Sequence, residues 1–171
     1  MRLLFGKMIL LSAVLAACNA PVSDNTGNGE DLPATAVTSE VMALPMIDAN
    51  KAPVDLAAFK GKKVFLNLWA TWCPPCRAEM PSIRELSNAV DSSKVAFVML
   101  SLDENFDLAL QYAQKQKLGL PVYYPAASLP PAFQTGSIPA TFIFDEEGKL
   151  LRKNIGAEDY NTDEYIGLLG R

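Results

Sequence analysis

Histidine is absent from this 171-residue chain, and only three cysteines are present. Structural zinc sites need about four ligands, commonly cysteine or histidine, so we predict no metal site. Basic residues do not cluster with aromatic ones, and the net charge is −4, so we predict no nucleic-acid partner. The N-terminal apolar run, Met8 to Leu15, is too short to span a bilayer in the ordinary way. No internal repeat is visible.

The N-terminus has the order of an export signal. Arg2 and Lys7 precede the apolar run, and small residues follow it. The sequence Leu15-Ala16-Ala17-Cys18 resembles the bacterial lipobox. This resemblance implies that residues 1–17 are a lipoprotein signal peptide and that Cys18 becomes a lipid-modified first residue. An ordinary signal peptide with an incidental cysteine, or an uncleaved anchor, is the alternative.

Residues 18–35 are polar and contain glycine and proline, a composition that cannot bury a core. We interpret them as a flexible tether with an r.m.s. reach of roughly 20–25 Å. Residues 36–171 are long enough for one domain with a sizeable core.

Within that domain, short apolar runs alternate with segments of helical spacing, which predicts an α/β fold around one mixed sheet. We predict main strands at 63–70, 94–102 and 140–145, and helices at 74–90, 103–117 and 161–169. Smaller predicted elements are an N-terminal strand or hairpin at 37–47, an extended piece at 120–125, a hairpin return at 150–155, and helical turns at 55–60 and 129–133.

Two features of the predicted helices carry specific expectations. Pro81 lacks a backbone donor, so helix 74–90 should kink or restart there. Asp103, Glu104 and Asp107 lie near the start of helix 103–117. We interpret them as charges that favour the helix dipole.

Cys73 and Cys76 lie where a predicted strand ends and a predicted helix begins. Unpaired N–H groups and the helix dipole favour a thiolate there, and can lower a cysteine pKa from about 8.5. Residues three apart share a helix face, and two sulfurs that close can form a disulfide. We predict Cys73 as the attacking thiolate and Cys76 as the resolving thiol. A purely structural disulfide is the alternative, although so small a loop adds little stability.

The segment Trp69 to Pro81, with the later segment Ser137 to Phe142, resembles the active site of the thioredoxin fold. More narrowly, it resembles the membrane-tethered TlpA/ResA group of thiol–disulfide oxidoreductases. The resemblance implies a thioredoxin-like fold, with a central mixed sheet flanked by helices and an N-terminal β extension, from about Val37 to the C-terminus.

The same resemblance implies a function and a setting. The protein would exchange disulfides with client proteins, with no cofactor beyond the Cys73–Cys76 pair, and a membrane electron donor of the thiol-transfer type would recharge it. The lipid-anchored domain would lie outside the cytoplasm, in the periplasm, as a reductant in cytochrome c maturation or disulfide repair.

The resemblance also assigns roles to individual residues. Glu79 is implied to be buried near the sulfurs and to transfer protons, with an exposed helical glutamate as the alternative. Asn67 stands where thioredoxin has a buried aspartate and cannot ionise, so a buried base would have to be Glu79.

Pro139 is implied to be a cis-proline facing the cysteines, with an ordinary trans turn as the alternative. Trp69 is expected in the core, and client contacts are expected from Trp72, Pro74, Pro75, Ile138 and Pro139.

Two other functions stay open at this point. Peroxiredoxin-like thiol peroxidases share the fold, but they need a proline and a threonine at set distances before their cysteine. Thr71 is only two residues before Cys73, and no suitable proline precedes it. The non-enzymatic alternative is a binding lipoprotein with a thioredoxin fold.

Overall fold

The computed structural model of this chain describes residues 42–170. The signal peptide predicted at 1–17, the lipidation site Cys18 and the tether predicted at 18–35 lie outside the described residues. Within residues 42–170, no helix is both long and apolar enough to cross a membrane.

A seven-stranded mixed sheet forms the centre of the fold, in the order β2-β1-β5-β4-β3-β6-β7. Strands β3, β4 and β5 run parallel, and β6 is antiparallel to β3. The strands are β1 (Pro45–Ile47), β2 (Pro53–Asp55), β3 (Lys63–Trp69), β4 (Val95–Ser101), β5 (Val122–Pro125), β6 (Ala140–Phe144) and β7 (Leu150–Ile155).

In the described part of the chain, three helices flank the sheet, α1 (Pro74–Ala89), α2 (Phe106–Lys115) and α3 (Asp163–Gly170). Short 3-10 turns occur at Leu56–Phe59 and Pro131–Phe133. The predicted α/β fold with one mixed sheet is therefore confirmed. Strand β2 lies outside every predicted strand range, and the other elements differ from their predicted ranges mainly at their ends.

Every residue of β3 and β4 is buried, as expected for strands covered on both faces. Alternate side chains of β3 enter two different core clusters. Phe65 and Trp69 belong to the cluster that also contains residues of all three helices. Leu66 and Leu68 belong to the second cluster, to which the two 3-10 turns contribute Leu56 and Phe133. Trp69 is fully buried, which confirms its expected place in the core.

The N-terminal β extension is a two-stranded antiparallel hairpin of β1 and β2. Strand β1 also pairs with β5, which joins the hairpin to the sheet. Residues 37–41 of the predicted extension lie outside the described part of the chain.

Helix α1 runs without interruption through Pro81, so the restart predicted as one outcome at this proline is wrong, and the kink predicted as the other stays a prediction. Proline removes one hydrogen-bond donor from the helix. The helix remains continuous because its buried face, which includes Cys76, Glu79, Ile83 and Leu86, packs against the core. This packing orients Cys76 and Glu79 towards the sheet.

Helix α2 begins at Phe106, three residues later than predicted, because Asn105 is its N-cap. The Asn105 side chain accepts a hydrogen bond from the backbone N–H of Asp107 at 2.9 Å. The role predicted for Asp103 as a helix-dipole charge is therefore wrong, since Asp103 lies before the cap. Asp107 does lie in the first turn.

We expect the substitution Leu66→Ala in β3 to destabilise the protein by roughly 2–5 kcal/mol, because Leu66 is fully buried and alanine leaves a cavity. Urea unfolding measures this change in the free energy of unfolding. Leu151→Ala on β7 is the matched control, since Leu151 is 41 % exposed. Equal losses in the two variants would contradict the assignment of β3 to the core.

Candidate active site

The cysteine pair lies at the junction of β3 and α1. Cys73 and Cys76 form a disulfide, with their Cα atoms 5.3 Å apart. Cys73 is the N-cap of α1, and its Sγ accepts a hydrogen bond from the backbone N–H of Cys76 at 3.2 Å. The unpaired N–H groups and positive dipole of a helix N-terminus favour negative charge. This position can stabilise a thiolate on Cys73 once the disulfide is reduced.

The two cysteines differ in their access to solvent. Cys73 is 3 % exposed, whereas Cys76 is 0 % exposed. A foreign thiol or disulfide must reach a sulfur atom to exchange with it. Both cysteines are buried, with the small exposed fraction at Cys73, and its role as the attacking residue stays a prediction.

The residues around Cys73 include an exposed tryptophan and two prolines. Trp72 is 64 % exposed, and Pro74 and Pro75 are the exposed first residues of α1. Proline is tolerated at these positions because their N–H groups would have no helical partner.

The segment before β6 faces the cysteines. The Ile138–Pro139 peptide bond is cis, and the Ile138 carbonyl oxygen lies 3.8 Å from the Sγ of Cys73. This is a contact in the disulfide form, because a disulfide sulfur carries no proton. When the pair is reduced, the Cys73 thiol can donate to the same oxygen.

A groove of about 480 Å³ opens beside this segment. Large apolar side chains form much of its lining, with a polar rim from the loop before Ile138. The lining residues are Trp72, Leu102, Leu129, Phe133, Gln134, Thr135, Gly136, Ser137 and Ile138. The groove can accept an apolar side chain beside Trp72 and Ile138, the neighbours of Cys73.

Glu79 lies one helical turn after Cys76 and is only 3 % exposed, so the alternative of an exposed glutamate is wrong. Its Oε1 accepts a hydrogen bond from Nδ2 of Asn67 at 2.7 Å, and its Oε2 accepts one from the backbone N–H of Glu158 at 3.3 Å. Burial raises the pKa of the Glu79 carboxyl to about 7. The two hydrogen bonds favour the ionised form and limit this rise, whereas the Glu158 charge adds to it.

Asn67 connects Glu79 to a second buried polar group. Its Nδ2 also donates to the Oγ1 of Thr141 at 2.9 Å, and the Tyr160 hydroxyl donates to the same oxygen at 2.7 Å. Burial raises the pKa of the Tyr160 hydroxyl well above its usual range, so this group stays neutral. The donors that hold Glu79 against β3 are both neutral, the Asn67 amide and the backbone N–H of Glu158.

A second buried carboxylate lies beside the cysteine loop. Asp103 is 3 % exposed and accepts hydrogen bonds from the backbone N–H and the Oγ1 of Thr71, at 3.1 and 2.6 Å. Its Oδ2 also accepts a hydrogen bond from the Oγ of Ser101 at 2.8 Å. These bonds explain why Asp103 takes no part in capping α2.

Asp103, Thr141 and Tyr160 contact the site in the structure but are not among its predicted residues. One signal was available for Asp103: polar residues follow β4, and the carboxyl ends of neighbouring parallel strands meet at one edge of the sheet. No comparable signal exists for Thr141 and Tyr160, because tertiary packing alone brings them to Asn67.

The sequence matches the redoxin family over residues 27–167. The chain belongs to the redoxin family. It is 32 % identical over 112 residues to the thiol-disulfide oxidoreductase ResA of Bacillus cereus, a match that covers 65 % of each protein. The chain thus aligns with less than two thirds of that relative's length. It is 30 % identical to the ResA of Oceanobacillus iheyensis over 152 residues, which cover 87 % of this chain and 79 % of that protein.

Among solved structures, StoA from Bacillus subtilis superposes on this redoxin with a TM-score of 0.58 at 25 % identity. The superposition covers 67 % of this chain and 88 % of StoA. The thioredoxin-like fold and the resemblance to the ResA group are therefore confirmed.

We expect the free energy of unfolding of the oxidised protein to fall as the pH rises from about 4.5 to about 7. The lower value is the ordinary pKa of a glutamate, and the upper value is the pKa of Glu79 in the folded protein. In this range the folded protein binds more protons than the unfolded chain, so raising the pH favours unfolding. The expected loss is about 3 kcal/mol. Because the chain has no histidine, few other side chains titrate in this window.

Urea unfolding at several pH values measures this dependence. Glu79→Gln mimics the protonated acid and should flatten the curve, whereas Glu85→Gln, an exposed glutamate of the same helix, should keep the wild-type slope. A wild-type curve as flat as that of Glu79→Gln would refute the assignment.

Proposed function

We propose that this redoxin is an extracytoplasmic thiol–disulfide oxidoreductase that reduces disulfides in exported client proteins. The observation that carries the proposal is the position of Cys73. It caps α1, forms a disulfide with Cys76 and is the more exposed of the two cysteines. A structural disulfide would not require a helix N-terminus or an adjacent apolar groove.

In the proposed reaction, the reduced protein attacks the client with the Cys73 thiolate. A bond forms between the Cys73 sulfur and one client sulfur, the client disulfide breaks, and the second client sulfur leaves as a thiolate that takes up a proton. The Cys76 thiolate then attacks the Cys73 sulfur, which releases the first client sulfur as a thiolate. The client gains two electrons, and the Cys73–Cys76 disulfide is regenerated.

Glu79 is proposed as the group that accepts the proton of Cys76 before this second attack. It follows Cys76 by three residues on the same buried helix face. A general base works best when its pKa is near the operating pH, and the pKa of Glu79 is about 7. Asn67 cannot take this role because an amide does not ionise.

Clients are proposed to bind in an extended form along the segment before β6. The Ile138 carbonyl lies beside the Cys73 sulfur, where a client backbone can pair with it. Trp72, Pro74, Pro75 and Pro139 would contribute the surrounding surface. The reaction needs no cofactor beyond the cysteine pair, and a membrane electron donor of the thiol-transfer type would return the two electrons.

The domain is proposed to be held at a membrane of the bacterial envelope, facing the periplasm. The order of charged, apolar and small residues before Cys18 supports export and lipidation at that residue. The polar segment 18–35 would let the domain reach clients and its electron donor. Cytochrome c maturation and disulfide repair are the proposed roles, on the resemblance to the ResA group.

The substitution Cys73→Ser should abolish reduction of a protein disulfide, because it removes the attacking sulfur. Cys76→Ala should instead trap a mixed disulfide between Cys73 and the client, since nothing resolves it. Non-reducing gel electrophoresis and mass spectrometry of envelope proteins from cells carrying Cys76→Ala would identify these clients.

Full activity of Cys73→Ser would overturn the proposal. Consumption of peroxide without disulfide reduction would support the peroxidase alternative, and neither activity would support a binding lipoprotein.

The substitution Cys18→Ser should move the protein from the membrane fraction to the soluble envelope fraction, because it removes the sulfur that carries the lipid. Cell fractionation and incorporation of labelled fatty acid measure the change. Cys73→Ser is the matched control and should stay in the membrane fraction. If Cys18→Ser also stays there and still carries label, the proposed anchor is wrong.

A further inference from the structure

The buried carboxylate of Asp103 joins the end of β4 to the turn that carries Cys73. Its carboxylate accepts hydrogen bonds from the backbone N–H and the Oγ1 of Thr71 and from the Oγ of Ser101. No lysine or arginine within residues 42–170 forms an ion pair with it. A buried carboxylate without a cation is costly, and it is retained where hydrogen bonds hold it.

The contact lies where the β3–β4 ladder ends. Trp69 and Ser101 are the last paired residues of these strands, and the backbone N–H of Leu102 donates to the carbonyl of Trp69 at 2.7 Å. Two residues beyond each member of the Trp69–Ser101 pair, the Asp103 carboxylate accepts the hydrogen bond from the N–H of Thr71. The side chain thus continues the connection between the segments after the backbone pairing stops.

The segment held in this way leads directly to the attacking cysteine. Thr71 is two residues before Cys73, and the backbone N–H of Cys73 donates to the carbonyl of Ala70 at 3.2 Å. The turn of residues 70–73 is therefore held at its centre by Asp103 and closed by its own hydrogen bond. In the oxidised protein, the disulfide additionally ties Cys73 to α1. Reduction removes that tie and leaves the Asp103 contacts.

We propose that Asp103 is a positioning residue for disulfide exchange. Through Thr71, it holds the turn of residues 70–73 so that the Cys73 sulfur stays at the N-terminus of α1 when the disulfide is open. The proposal rests on the proposed function for its role in exchange, but its effect on Cys73 is measurable without any client.

Two substitutions separate the hydrogen bonds of Asp103 from its charge. Asp103→Asn and Asp103→Ala both remove the negative charge. The asparagine Oδ1 can still accept from Thr71, and its Nδ2 can donate to Ser101, whereas alanine loses every side-chain hydrogen bond. A difference between the two variants therefore reports the hydrogen bonds, which hold the turn.

The first measurement is the pKa of Cys73 in the reduced, folded protein, from thiolate absorbance against pH. We expect a higher Cys73 pKa in Asp103→Ala than in Asp103→Asn, because the sulfur is less firmly held at the helix N-terminus. We also expect Asp103→Ala to reduce a disulfide reporter about tenfold more slowly than Asp103→Asn, since small misplacements of a reacting group cost large factors in rate. Glu104→Gln, an exposed neighbouring carboxylate, should match the wild type.

Equal Cys73 pKa values and equal rates in the alanine and asparagine variants would overturn the proposal. If Asp103→Ala does not fold, the pair Thr71→Val and Thr71→Ser replaces it, because serine keeps the hydroxyl that donates to Asp103 and valine does not. The valine variant should then have the higher Cys73 pKa, and no difference would again overturn the proposal. If the wild type fails to reduce disulfides, the proposed function fails, while the pKa comparison still decides the role of Asp103.

Discussion

The hydrogen bond from the backbone N–H of Cys76 to the Cys73 sulfur is the interaction on which the site depends. It exists because the chain leaves β3, turns within four residues and starts α1 at Pro74. The first turn of a helix always has N–H groups without helical partners, and here a sulfur atom accepts one of them. The cap that starts the helix is thus also the atom available for exchange.

Two buried carboxylates support this arrangement from different elements. Glu79 belongs to α1 and is held through Asn67 against the central strand. Asp103 follows β4 and holds the turn before Cys73 through Thr71. Neither has a cationic partner within the described residues, but their surroundings differ. Burial dominates at Glu79 and raises its pKa to about 7, which suits a group that gains and loses a proton. Asp103 instead accepts hydrogen bonds from Thr71 and Ser101, which suits a residue that holds the turn in place.

Much of the fold and the cysteine site could be predicted from local patterns. Apolar periodicity predicts the main strands and helices. The change from a strand pattern to a helix pattern predicts that Cys73 and Cys76 lie at the junction of β3 and α1. The prediction for Asp103 was wrong because proximity in sequence to α2 suggested a helix charge, whereas its partner Thr71 is 32 residues away. The restart predicted at Pro81 was wrong because packing of α1 on the sheet outweighs the loss of one hydrogen bond.

The sequence by itself determined where a strand meets a helix and that two sulfurs, three residues apart, lie at that junction. These features depend on backbone hydrogen bonding and side-chain period, which act between near neighbours. Only the tertiary structure decided that Asp103 is buried against the turn before Cys73, and that Asn67, Thr141 and Tyr160 share one network. Burial and hydrogen bonds between distant residues form when β3, β4 and β6 pair and α1 packs on them, and no local pattern encodes those distances.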